Sequence, residues 1–242
     1  MVQKIKNNYM SYLQSIPIAF LSGLLPAIIW LFFWLKEDDL HPEPKKIILL
    51  CFISGMLVVP IVLPIQKYVN DIFVSTTILF ILWAFIEEFL KYVAAYLTGV
   101  SRKCDDEPVD NIIYLISVAL GFAALENTLF LIDLISSGQI TTALITGSMR
   151  FVGSTLLHVV SSATVGIFVA FAFYHSRKYK IIFTLLGLVF ATVVHTMFNL
   201  LIINTSGPSI FLAFGFVWFM VVSVLLFFEK VKKIQNPLIK IK

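Results

Sequence analysis

Glu87, Glu88 and Lys91 lie inside one of the most apolar stretches of the chain, IFVSTTILFILWAFIEEFLKYVAAYL. Ionised groups at bilayer depth are costly unless paired or hydrated, so three together mark a place where chemistry is expected. On a helix, Glu87 and Lys91 share a face at a spacing of four, with the acid N-terminal to the base, and Glu88 lies three residues from the same lysine. Lys91 can therefore neutralise one carboxylate and leave the other open. A desolvated carboxylate without a partner is a suitable general base toward water. The competing reading is an ion pair that only fixes helix packing.

Four further residues are embedded in the same way. Glu126, next to Asn127, follows the small-residue run Gly121-Phe122-Ala123-Ala124, which permits close approach of another helix. It reads as a second acid, as a partner that orients a histidine, or as a protonated carboxyl bonded to nearby backbone. His158 precedes Ser161 and Ser162, and His195 precedes Asn199 by one helical turn. A lone histidine on an apolar helix is usually a packing residue, but two histidines with two glutamate sites point to function. His195 with Asn199 would make a donor pair for an oxyanion. The set Glu87, Glu126, His158 and His195 equally suits zinc, although a metal-free site needs no cofactor at all. Arg150 is expected to pair with Glu126 or Asp133, or to reach the headgroups, in a structural role.

The elements that position these residues follow from composition. The 242 residues are 59% hydrophobic and only 13% charged, about half the charged fraction of a soluble domain, and the mean hydropathy is +0.94. The expected fold is an all-α, polytopic transmembrane bundle forming one domain over residues 1–242, with a basic tail at 229–242. No polar stretch is long enough for a separate soluble domain. Spans are placed at 15–35, 47–65, 72–98, 111–135, 140–174, 181–203 and 208–228. This makes seven, or eight if the long fifth segment divides before Arg150. The first is read as a retained helix, being too long for a signal-peptide core.

Lys and Arg concentrate in the loops after spans one, three and five and in the tail. This places the N-terminus outside and the C-terminus in the cytoplasm. The net charge of +4 then reflects contact with anionic lipid and not nucleic acid. Asp110 is expected to cap the fourth span, Gly207-Pro208 to open the last, and Trp30, Trp34 and Tyr174 to anchor at the interface. Cys51 and Cys104 fall in different environments, which argues against a disulfide. At about 1.5 Å per residue, Glu87, Glu126, His158 and His195 reach comparable depths.

The order of these motifs resembles the PrsW family of intramembrane proteases, in the superfamily that holds the CAAX prenyl endopeptidases and Abi proteins. The resemblance runs from about Pro26 to Asn199. It rests on Asp38-Asp39-Leu40-His41-Pro42-Glu43-Pro44, on Glu87-Glu88-Phe89-Leu90-Lys91, and on Glu107-Pro108-Val109-Asp110-Asn111-Ile112-Ile113-Tyr114. Gly121 to Asn127, His158 and His195-Thr196-Met197-Phe198-Asn199 complete it.

It implies a bacterial cell-membrane endopeptidase that cuts a membrane-anchored protein, in the best-known branch a single-span anti-sigma factor. Glu126 stands where CAAX endopeptidases often have histidine. The family has been called metal-dependent, whereas those relatives look like glutamate proteases. The implied catalytic set is Glu87, Glu88, Glu126, His158 and His195, supported by Lys91, Asn127 and Asn199. In this reading Glu87, helped by His158, activates water. An ion- or proton-coupled transporter and a non-catalytic scaffold or immunity protein are the alternatives, and the oligomeric state is not encoded in any motif.

Overall fold

Helix α4, Asp110–Ser136, is apolar on every face, and each residue from Asp110 to Ala124 is buried. A helix of that kind must be surrounded by others. In the computed structural model, which describes residues 12–38, 41–203 and 210–235, it forms the axis of an all-helical bundle. Around it stand α1 (Tyr12–Leu35), α2 (Lys45–Ile72), α3 (Thr76–Ala95), α5 (Ile140–Val152) and α6 (Ser154–Phe171). Helices α7 (Arg177–Ile203) and α8 (Ile210–Val231) pack on α6 from outside. The most apolar window of α4 is 78% buried, against 17% for α1 and 22% for α8. The peripheral helices instead expose residues such as Phe211, Phe219 and Leu226, as a lipid-facing surface requires.

Among the described residues, six segments are long and apolar enough to cross a membrane. Helix α3 has the length of a seventh but carries the three charges of Glu87, Glu88 and Lys91. Its buried stripe, Ala84, Glu87, Glu88, Lys91 and Ala95, has helical spacing, so the charged residues face the bundle interior. The long fifth segment is divided. The break falls at Gly153, three residues after Arg150 and not before it, so Arg150 sits in the last turn of α5. A Cβ at Gly153 would come within 2.9 Å of the Met149 carbonyl and 3.0 Å of the Phe214 ring. The turn into α5 is closed by Gly138 at φ 76°, a conformation that glycine adopts freely.

Other sequence expectations are corrected. Helix α2 continues to Ile72, and the stretch from Gln66 read as a polar loop is helical. Trp34 is fully buried against Phe33 and Phe228 and so is core, not an interface anchor. Asp110 does not cap α4: its carboxylate accepts the backbone N–H groups of Asp106 and Glu107 and closes the preceding loop. The two cysteines are free. Gly207-Pro208 and the end of the basic tail lie outside the described residues.

Helices α2 and α4 touch backbone to backbone. A Cβ on Gly55 would lie 1.9 Å from the Val118 carbonyl, and one on Gly121 would lie 1.8 Å from the Phe52 carbonyl. The small-residue run before Glu126 thus admits α2, the helix that supplies Gln66 to the site. Gly121→Ala is expected to force these helices apart and destabilise the bundle by about 1–3 kcal/mol, the usual cost of overpacking. Gly215→Ala, where nothing lies within 4 Å, should leave stability unchanged. Thermal unfolding of both variants in detergent checks this, and equal melting temperatures would refute the close-packing argument.

Candidate active site

Lys91 is fully buried, with no exposed surface, and its ammonium organises the interior. Nζ donates to Glu88 Oε1 at 2.8 Å and to His158 Nδ1 at 2.9 Å. It lies 3.7 Å from Glu87 Oε2 and 4.3 Å from the centre of the Phe122 ring. An ammonium can only donate, so His158 Nδ1 is the acceptor and the ring proton sits on Nε2. That Nε2 donates to Glu126 Oε2 at 2.9 Å. Glu126 also receives Arg150 Nη2, whose Nε–H reaches Asn127 Oδ1, and Asn127 Nδ2 donates in turn to Thr155 Oγ1.

Glu88 is saturated. Its Oε1 accepts from Lys91 and, at 2.9 Å, from His195 Nδ1, and its Oε2 accepts from Ser162 Oγ at 2.7 Å. Glu87 differs. Its Oε1 accepts from Gln66 Nε2 at 2.8 Å, while Oε2 is buried without a hydrogen-bond partner. This oxygen lies 3.8 Å from both His158 Nδ1 and His195 Nε2. Because His195 gives its Nδ1 proton to a carboxylate, neutral His195 presents a lone pair at Nε2. Acceptors therefore face acceptors around one point, an arrangement satisfied only by a proton donor such as water or by a cation.

The sequence-derived residues Glu87, Glu88, Lys91, Glu126, His158 and His195 are thus brought together from α3, α4, α6 and α7. Asn127 joins them through Arg150. Asn199 lines the adjoining cavity but does not form the expected oxyanion pair with His195, whose N–H is committed to Glu88. Glu126 is held by Arg150 and His158 and not by backbone. Gln66 was missed: it opens the polar last turns of α2, beyond the point where the sequence reading had ended the helix. Ser162 gains a definite contact with Glu88.

A cavity of about 730 Å³ opens beside the cluster. Glu87, Glu126, Arg150, His158, His195 and Asn199 form its polar side, and Phe80, Trp83, Phe130, Met149, Phe198 and Phe214 are among its apolar walls. Glu87, His158 and His195 each offer a ligand atom within 4.8 Å of the others, and the orphaned Glu87 oxygen points among them. This donor set fits a metal of the zinc type. Lys91 is its competitor, because the His158 Nδ1 lone pair already receives the ammonium.

A buried carboxylate with one open oxygen, two oriented histidines and an apolar cavity inside a membrane-type bundle have the chemistry of a hydrolase site. Comparison with known proteins gives the family. Residues 43–227 match the PrsW family of intramembrane metalloproteases. The chain is similar to Protease PrsW of Shouchella clausii, with 29% identity over 88% of this chain and 95% of that protein. It is also similar to Protease PrsW of Bacillus subtilis, with 27% identity over 77% and 83%. Similarity to Protease PrsW of Geobacillus kaustophilus reaches 34%, over 46% of this chain and about half (51%) of that protein. No solved structure matches the chain. The chain belongs to the PrsW family, and the protein is a multi-pass bacterial membrane protein with the activity of an intramembrane endopeptidase.

Removing one partner from a buried ion pair costs about 3–5 kcal/mol, because the other charge is stranded. Lys91→Met strands Glu88 and should lower stability by that order. Thermal unfolding measures it, and a variant as stable as the parent would show that the ammonium does not organise the site.

Proposed function

We propose that Glu87 is the general base that activates water for peptide-bond hydrolysis, and that the other polar residues hold it in that role. The single observation that carries this reading is the orphaned Oε2. Glu88 has both oxygens engaged and serves as the anchor for Lys91, His195 and Ser162. A water between Glu87 Oε2 and His195 Nε2 satisfies both acceptors. Glu87 takes one of its protons as the oxygen attacks the scissile carbonyl from the cavity. The C–N bond then breaks, and the proton on Glu87 passes to the leaving amine. Gln66 fixes the carboxylate plane through Oε1. Glu126, through His158 Nε2, keeps the His158 ring in the tautomer that accepts from Lys91. Asn199 and Arg150 are among the donors on the cavity wall available to a developing oxyanion.

A second reading has an observation of its own, the convergence of the three donor atoms. Glu87, His158 and His195 would hold the metal that the family description implies. A zinc ion in such a site supplies carbonyl polarisation and lowers the pKa of bound water. Lys91 would then donate to its carboxylate partners alone.

The aromatic and aliphatic cavity walls suit an apolar stretch of chain. We infer that the substrate is a membrane-anchored protein presenting its single transmembrane segment, an anti-sigma factor being the narrower case. Lys and Arg in the loops after α1, α3 and α6 support a reading in which that end of the bundle faces the cytoplasm.

Purified protein in liposomes is expected to cleave a single-span substrate, and Glu87→Gln to slow cleavage at least about 100-fold, the lower range for loss of a general base, with an unchanged melting temperature. Unchanged turnover would sink the assignment. Elemental analysis with activity after chelation separates the readings: a metal-free, active preparation excludes the metal, and stoichiometric zinc with chelator-sensitive cleavage establishes it.

A further inference from the structure

Asp38 and Glu43, from the segment between α1 and α2, have no part in the intramembrane site, yet they converge with Asp110. Asp38 ends the turn after α1, Glu43 precedes α2 and Asp110 begins α4. Each offers one carboxylate oxygen, and these lie within 4.8 Å of one another. The cluster is sixteen residues from Glu126 along α4, about 24 Å at helical rise, and so is separate from the catalytic cluster.

Carboxylates gathered at helix ends are common and by themselves signify little. Here two further facts constrain them. Asp38 is only 6% exposed, and its Oδ2 has no hydrogen-bond partner. Among the described residues, no Lys, Arg or His forms an ion pair with Asp38, Glu43 or Asp110. Two nearby basic residues are engaged elsewhere: His41 with Glu107 at 2.8 Å, and Lys232 with Glu229 at 2.8 Å and Glu37 at 3.4 Å. Lys36 and Lys45 line cavities beside Asp38 without an ion pair to the cluster. Asp110 Oδ2 accepts two backbone N–H groups, and Glu43 Oε2 accepts the hydroxyl of Tyr114. Burial pushes the Glu43 carboxyl above its ordinary range, against the Tyr114 hydrogen bond.

A proton shared between Glu43 and Asp110 would relieve those two and leave Asp38 Oδ2 stranded. A cation relieves all three. The donors are oxygens only, which selects hard divalent ions such as Mg²⁺, Mn²⁺ or Ca²⁺ over zinc. A cavity of about 350 Å³ lined by Lys36, His41, Glu107 and Lys232 reaches Asp38.

We propose that Asp38, Glu43 and Asp110 form a second site, for a hard divalent cation, that staples the ends of α1, α2 and α4. Because α4 carries Glu126 and Asn127, occupancy of this site sets the footing of the helix that holds His158 and Arg150.

The test uses full-length protein in detergent and Mn²⁺ as the probe. Glu87→Gln serves as the background, which removes the carboxylate of the intramembrane donor triad. Titration followed by electron paramagnetic resonance is expected to find one saturable Mn²⁺ per chain, displaced by Ca²⁺, and a melting temperature raised by Mn²⁺. Adding Asp38→Asn or Glu43→Gln should weaken Mn²⁺ binding at least tenfold, with helical content followed by circular dichroism. Absence of saturable binding in the Glu87→Gln background overturns the proposal without any further variant. So does undiminished binding in both added variants. A protonated-carboxyl infrared band lost in Glu43→Gln, with no Mn²⁺ bound, overturns it in favour of the shared proton.

Discussion

A fully buried ammonium governs this structure. Lys91 has no exposed surface, and an uncompensated charge in such a place is prohibitive. It therefore dictates its surroundings: Glu88 as counter-ion and His158 as acceptor, with the Phe122 ring closing one side. Each of those groups is tied to another helix in turn, Glu88 to α7 and α6 through His195 and Ser162, and His158 to α4 through Glu126. The same donor fixes the tautomer of His158. Its partner Glu88 fixes that of His195. One charge thus orients two imidazoles on two helices.

The arrangement needs helices that approach closely and cannot slide. Gly55 and Gly121 allow α2 and α4 to meet at their backbones, which brings Gln66 onto Glu87. Gly153 interrupts the fifth segment just beyond Arg150, so the guanidinium lies in the last turn of α5 while His158 begins a new helix axis. On a continuous helix these two residues, eight apart, would be separated by about 12 Å along one axis and about 80° around it. The break lets them meet Glu126 from different directions.

Much of this was legible in the sequence because membrane proteins make polar residues conspicuous. Glu87, Glu88, Lys91, Glu126, His158 and His195 stand out against an apolar background, and helical spacing assigned Lys91 to the correct face. What was not legible depended on tertiary context. Gln66 looked like the start of a loop because amide, lysine and asparagine follow one another at the end of α2. Trp34 has the composition and position of an interface anchor, and only the packing of α8 buries it. The expected His195–Asn199 pair failed for a reason that spacing cannot reveal: Glu88 on α3 claims the imidazole proton.

The remaining tension lies at a single lone pair. His158 Nδ1 accepts from Lys91 at 2.9 Å, and the same lone pair would ligate a metal in the second reading of the site. Both cannot occupy it. With the ammonium in place, Glu87 Oε2 and His195 Nε2 still face each other as acceptors 3.8 Å apart, a gap of the size that a water donating to both would fill. With Lys91 withdrawn to its carboxylate partners, three donor atoms become available together. On the proposed reading the lysine is then more than a structural counter-ion, since the allocation of its protons between His158 and the glutamates would set whether His158 Nδ1 is open to a ligand. Glu88, already saturated by neutral and cationic donors, is the group that makes either allocation tolerable, which is why the second carboxylate of the Glu87-Glu88 pair is needed even though only the first has an oxygen to spare.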